Sequence, residues 1–382
     1  MREAGPRPET GLAAEIVAEI REKGPITFAR FMEIALYLPG KGYYTSGRGT
    51  WGPEGDYITS LDVSPVFART LARGLKEMWE ALGSPSPFVF VEAGAGRGWL
   101  TKGVLESLKE ISPGLSGAII PRLVERSAAE RDSPPGATWH SELSDIPPFS
   151  SGCILSNELM DSFPVHRVEF SGGELKELYV GCDGNGFKEV HGPLSTGELQ
   201  GYFRENGVAP FEGMRTEVNL EAIRWLGEAG ALMERGFMVT IDYGFPAAEL
   251  YSPERRGSLM CHYRHTLNDN PFINVGEQDM TTHVDFTALA NAGLKTGLGV
   301  TGFTTQKNYL IGLGILDELK PPPEGSPGVE EMKFNRAVAR LISPGGMGDT
   351  FKTLVQHKGI AKPGLRAFSF RDMARSLWPE PS

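Results

Sequence analysis

The stretch that most constrains this chain is Phe88 to Leu100, FVFVEAGAGRGWL. A short apolar run ends in an acid, three glycines follow at alternate positions (Gly94, Gly96, Gly98), and a helical pattern then begins. An apolar run bounded by glycines predicts a buried strand, and a strand that turns at once into a helix predicts a nucleotide site. Glycine has no Cβ, so backbone can approach a ligand closely there. The first turn of the helix also presents N–H groups that have no partner within the helix.

Spacing decides which nucleotide. A dinucleotide fingerprint reads G-x-G-x-x-G, its third glycine letting helix and strand pack closely. Counted from Gly94, that third position falls on Trp99. The pattern is instead E-x-G-x-G-x-G, from Glu92 through Gly98, and no G-x-x-x-x-G-K-[ST] phosphate loop is present. Glu92 stands before the glycines, and Glu125 ends the next apolar run, IIPRLVE. Two such acids suit a ligand with a cationic amino acid and a ribose diol, because a carboxylate accepts two hydroxyl hydrogen bonds at once. S-adenosylmethionine (SAM) fits that description better than NAD. The plainer alternative is a tight turn that binds nothing.

The 382 residues are enough for one large α/β domain with additions, or for two domains. A formal net charge of −10 argues against a nucleic-acid binder that works by broad phosphate neutralisation. Cys153, Cys182 and Cys261 lie far apart with no CxxC pair, which suggests reduced thiols. No apolar run approaches the ~20 residues that span a bilayer. The N-terminal MREAGPRPETG resembles neither a signal nor a transit peptide, so a cytoplasmic protein is expected.

Leu12, Ile16 and Ile20 predict a helix stopped by Gly24-Pro25, and Phe28–Leu38 a second. The glycine-rich stretch from Leu38 to Pro65 has no apolar periodicity but carries Tyr43, Tyr44, Trp51 and Tyr57. It reads as an ordered loop over a site, or as a surface arm anchored by its aromatics. Val63 to Leu82 shows one apolar stripe, a long helix opened by Ser64-Pro65. Strands are expected at Phe88, at Ile119–Glu125, at Gly152–Ser156 and at Gly236–Asp242. A hairpin over Val165–Val180 turns at Ser171-Gly172-Gly173. Helices are expected at Glu217–Ala229 and Phe286–Ala292. Gly297–Thr304 and Lys307–Ile315 are expected to pair as a terminal hairpin, putting one antiparallel strand into a mostly parallel sheet. PPPEGSP then links to expected helices Val329–Ile342 and Thr350–His357. The expected division is an N-terminal helical region and cofactor-covering loop (1–86), a core (87–316) with a hairpin insertion at about 165–216, and a C-terminal helical appendage (317–382).

Several separate blocks in this order resemble the MidA-type, class I SAM-dependent methyltransferases. They are GPITFARFMEIALYLPGKGYY, GDYITSLDVSPVFARTLA, VEAGAGRGWL, SNELMDSFPVHR, VTIDYG and DMTTHVDFTAL. The family includes a mitochondrial complex I assembly factor that methylates protein arginine. The resemblance implies a Rossmann-like, mostly parallel seven-stranded sheet with an antiparallel last strand. It also implies that Gly94, Gly96 and Gly98 surround the methionine part of SAM and that Glu125 holds the ribose. Asp56, Tyr57, Thr59 and Ser60 are expected to close over the cofactor. It further implies a protein substrate, by analogy a respiratory-complex subunit, and it admits a homodimer. Ala93 and Ala95 stand where the family often has Leu and Pro, and either alanine fits a tight turn.

Acceptor-side groups belong at the C-terminal edge of the sheet. Asn157, Glu158 and Asp161 follow the Gly152 strand at once, and a carboxylate there can pair with a guanidinium bidentately. Glu158 is the candidate for that pairing, with Asn157 and Asp161 in support, although Asn157 and Asp161 can equally cap the next turn. Asp242-Tyr243-Gly244 ends a strand at the same edge and either lines the acceptor pocket or forms a turn. His262, His265 and His283 lack the dense spacing of a metal site and read as pocket-lining or surface groups. Two other acceptor readings stay open: a small molecule, or no turnover at all in a SAM-binding assembly factor.

Overall fold

The computed structural model describes residues 11–47, 65–127, 131–132, 134–184, 186–264, 266–321 and 328–378. Seven strands form the central row, ordered Gly299–Thr305, Phe351–Lys358, Met233–Phe245, Phe149–Asn157, Phe88–Ala93, Ile119–Val124 and Thr138–His140. All neighbours are parallel except Phe351–Lys358, which is antiparallel to the strands on both its sides. The Phe88 strand is buried along its whole length. It is an unbroken apolar run because helices cover both faces of the sheet.

One face is packed by the helices Pro65–Ala81, Trp99–Ile111 and Gln306–Gly312 around Phe67, Phe90, Phe237 and Tyr309. The other is packed by Leu220–Ala231 and Phe286–Lys295 around Val91, Ile154, Met238 and Phe303. A second, five-stranded sheet grows from the hairpin His166–Ser171 and Glu174–Asp183, whose turn glycines Gly172 and Gly173 have φ of 64° and 80°. The N-terminal strand Ile26–Thr27 joins that sheet, so the first two helices pack against it and against Cys261 and Met280.

Two expected elements exchange their types. Lys307–Ile315 is no strand: Gln306–Gly312 is a helix capped by the Thr305 hydroxyl, which accepts from Asn308 N at 3.3 Å. Thr350–His357 is no helix: Phe351–Lys358 is the antiparallel strand, between partners 46 or more residues distant in sequence. Both runs are short and apolar, and periodicity does not separate a buried strand from a buried helix at that length. The expected terminal hairpin is therefore replaced by a long-range pairing. The 317–382 segment contributes the helix Val329–Ile342 and also one of the most buried strands of the core. The stretch expected to open the Glu217 helix is a strand, Arg215–Val218, with the helix starting at Leu220.

Candidate active site

The three glycines of the turn all have positive φ: 72° at Gly94, 53° at Gly96 and 81° at Gly98. A Cβ on Gly98 would lie 2.9 Å from Leu123 and 3.0 Å from Trp139, and one on Gly94 3.0 Å from Leu159. Gly94 N and Ala95 N both donate to the Val124 carbonyl, at 3.0 and 3.1 Å, which ties the turn to the neighbouring strand end. Side chains at these positions would fill the space the turn encloses.

The two acids beside the turn face in opposite directions. Glu92 was expected on the ligand side, yet it is 2% exposed and points under the helix. Its Oε2 accepts from Thr101 N at 3.0 Å and from the Thr101 hydroxyl. Burial pushes its carboxyl up to about 7, against the opposing pull of those hydrogen bonds. Glu125 lies on a cavity wall, its oxygens accepting from Gly96 N and Ser127 N at 2.7 Å each.

That cavity, about 120 Å³, is lined by Gly94, Glu125, Glu142, Glu158, Trp225 and Glu228, among others. Glu221 also lines it, so five glutamates stand there against one arginine, Arg126, itself paired with Glu142 at 2.7 Å. Glu221, Trp225 and Glu228 come from one face of the helix Leu220–Ala231, at spacings of four and three. The sequence predicts a helix over Glu217–Ala229 and assigns it no site residue. The acid–aromatic–acid row was its one legible signal of a site. Tyr37 and Tyr44 reach the same cavity from the N-terminal region, stacked at 5.4 Å. Tyr37 OH lies 2.9 Å from Ser162 Oγ and Tyr44 OH donates to Asp279 at 2.8 Å. Asp56, Tyr57, Thr59, Ser60 and His265 lie outside the described residues.

The acceptor side is assembled from three distant segments. The Phe149 strand ends at Asn157, in register with Ile241, and Glu158 N donates to the Ile241 carbonyl at 3.0 Å. Glu158 has φ of +54°, a left-handed conformation that costs a non-glycine residue about 1 kcal/mol or more. Asp242 holds it there: its Oδ2 accepts from Leu159 N at 3.2 Å and Met160 N at 2.9 Å. Asp242 is fully buried, and burial raises its carboxyl to about 7. Asn157 Nδ2 donates to Glu158 Oε1 at 3.1 Å, while Asn157 Oδ1 is buried with no partner.

Asp161 is 5% exposed and accepts from the Tyr243 hydroxyl. Burial and then the nearby Asp242 charge push its carboxyl well above the usual range. His283 sits against Tyr243 and Phe245 at ring distances of 6.0 and 5.2 Å. Burial, reinforced by Arg255 and Lys352, lowers it to about 4, so its ring is neutral at pH 7. Glu158, Tyr243, His262 and His283 line a groove of about 1780 Å³ that also borders the face of the second sheet, at Arg167, Glu189, Arg215 and Glu217. Among the described residues, no group of three or more His, Cys, Asp or Glu is arranged to hold a metal ion.

Residues 70–304 match the family Methyltransf_28, S-adenosyl-L-methionine-dependent methyltransferases. The structure is similar to that of a COG1565 superfamily member from Burkholderia thailandensis bound to S-adenosyl-homocysteine. That likeness has a TM-score of 0.82 at 32% identity and covers 96% of each chain. The chain is 29% identical to the mitochondrial protein arginine methyltransferase NDUFAF7 homolog of Drosophila melanogaster, over 94% of this chain and 88% of that one. It is 26% identical to human NDUFAF7, over 94% and 86%. The expectation of a cytoplasmic protein is corrected here, because these relatives are mitochondrial by name. The glycine cradle and the acid-rich cavity suit the cofactor that the match names. This chain belongs to the Methyltransf_28 family and is a SAM-dependent methyltransferase.

Proposed function

We propose that the acceptor is an arginine side chain of a protein. The observation that carries this reading is the place of Glu158, which lines both the glycine-turn cavity and the large groove. SAM, when bound, supplies a methyl group made electrophilic by its sulfonium. Gly94, Gly96 and Gly98 leave room for the methionine part, and Glu125 would accept from the ribose hydroxyls. The surplus of glutamates favours a ligand with two cationic centres. By the family resemblance, Asp56, Tyr57, Thr59 and Ser60 close over it.

Glu158 would take the acceptor's guanidinium through two parallel N–H···O bonds, fixing its plane and drawing positive charge away from the attacking nitrogen. Asn157 steadies that carboxylate through its amide. In-line transfer depends mainly on such alignment. The groove exceeds the roughly 300–1,000 Å³ of small-molecule sites, which supports a polypeptide over a small acceptor. The relatives named as protein arginine methyltransferases support the same class. By analogy the substrate is a respiratory-complex subunit, and light scattering tests whether the enzyme works as a homodimer.

The test is to incubate the purified protein with radiolabelled SAM and cell lysate, then hydrolyse labelled protein bands and analyse the amino acids. Label in methylarginine, lost with Glu158→Gln, is the expected result. Label confined to small solutes would replace the protein acceptor with a metabolite.

A further inference from the structure

Tyr243 lies near the C-terminal end of the Met233–Phe245 strand, two residues after Ile241, which is in register with Asn157, so Tyr243 and Glu158 stand at one sheet edge and line one groove. The ring is held edge-on by Phe351 at 5.3 Å and His283 at 6.0 Å, with interplanar angles of 89° and 83°. Its hydroxyl proton is committed to Asp161 Oδ2. Asp161 is itself fixed, because its main-chain carbonyl accepts from Thr282 N at 2.8 Å. A phenol has one proton and two lone pairs. With that proton committed, the Tyr243 oxygen keeps lone pairs and has no proton to offer. Glu158 lines the same groove with a carboxylate. This end of the groove therefore offers acceptors and asks for N–H donors.

We propose that Tyr243 is a second substrate-binding residue, its oxygen receiving one N–H of the guanidinium that Glu158 holds, with Asp161 as a positioning residue that acts through Tyr243. The proposal rests on the arginine reading. A guanidinium has five N–H donors, enough for Glu158 and Tyr243 together. A hydroxyl nucleophile has one, so it would leave one of the two partners unmatched. The pair thus selects a donor-rich planar cation.

The experiment compares Tyr243→Phe, Asp161→Asn and the double variant with wild type in arginine labelling of lysate protein. Calorimetry supplies SAM affinity for each, and melting temperature reports folding. Tyr243→Phe keeps the ring and removes only the hydroxyl. It is expected to lower labelling about 10- to 100-fold, the scale of a hydrogen bond to a charged group, with SAM affinity within about twofold. Asp161→Asn is expected to lower labelling by a smaller factor, and the double variant to be no worse than Tyr243→Phe, as for two residues acting through one contact. Labelling by Tyr243→Phe within twofold of wild type, or costs that add in the double variant, overturns the proposal. Should Tyr243→Phe fail to fold, an Asp161→Asn protein that binds SAM and labels at the wild-type rate overturns it equally. Wild-type protein that puts no label on arginine is a different failure, that of the arginine reading, and it removes the acceptor that Tyr243 is said to hold.

Discussion

The cofactor half and the acceptor half of the cleft are built by opposite means. The turn at the heart of the cofactor half is one continuous stretch, Phe88 to Thr101, while Glu125, Glu142 and the row Glu221, Trp225 and Glu228 wall the cavity from other elements. The turn's shape is set by backbone: three positive-φ glycines, two N–H groups on the Val124 carbonyl, and Glu92 folded back onto Thr101. The acceptor half has no such continuity. Glu158, Tyr243 and His283 come from three segments spread over more than a hundred residues, and a buried carboxylate, Asp242, ties the Glu158 segment to the Tyr243 strand. A local half tolerates change elsewhere in the chain but little within itself. An assembled half can be broken from a distance.

Glu158→Gln separates the two halves most sharply. Methyl transfer is expected to fall about 100-fold or more, because a bidentate charged pair is lost, while SAM affinity changes by no more than a few fold. Equal losses of transfer and SAM affinity would merge the halves. Gly98→Ala is the converse. A Cβ there meets Leu123 at 2.9 Å in a left-handed conformation, and about 2 kcal/mol of stability is expected to go, with SAM affinity falling alongside. Gly96→Ala meets no atom within 4 Å and is expected to cost only about 1 kcal/mol, from φ alone. Denaturant titration of both variants would sink the packing argument if their order were reversed.

Asp242→Ala strips three main-chain N–H groups, those of Leu159, Met160 and Tyr243, of their acceptor and is expected to cost about 2–3 kcal/mol. It should slow transfer through a misplaced Glu158 while SAM still binds; calorimetry and the labelling assay read the two effects separately. The same buried carboxylates give a pH dependence. Glu92 and Asp242 are raised to about 7, well above their unfolded values near 4. Between those values the folded chain holds protons that the unfolded chain releases. Their contribution is therefore full below pH ~4 and is lost as pH rises through 7, at up to about 1.4 kcal/mol per pH unit for each group. Stability measured from pH 5 to 8 should fall less steeply in Glu92→Gln than in wild type; parallel slopes would show that Glu92 titrates normally.

Much of this molecule was legible along the chain. The glycine turn, the four parallel strands from Phe88 to Met233 and the Gly172-Gly173 hairpin all follow from neighbours within a few residues. Spacing narrowed the ligand to SAM, since Trp99 occupies the place of a third dinucleotide glycine. Glu158 was singled out because it follows a buried strand at the edge where ligands bind.

What the chain alone left open depends on partners remote in sequence. Phe351–Lys358 becomes a strand because a gap between the Met233 and Gly299 strands needs its backbone N–H and C=O groups, a demand no local pattern carries. The exchange of strand and helix at Lys307 and Thr350 has the same cause. Glu92 looks like a ligand group in the sequence; only the fold shows it turned inward to cap the helix that starts at Trp99. Sequence determined where the cofactor half lies, since local backbone geometry makes it. Tertiary structure decided which side chains line the groove beside Glu158, because they meet only where separate strands end at one edge of the sheet.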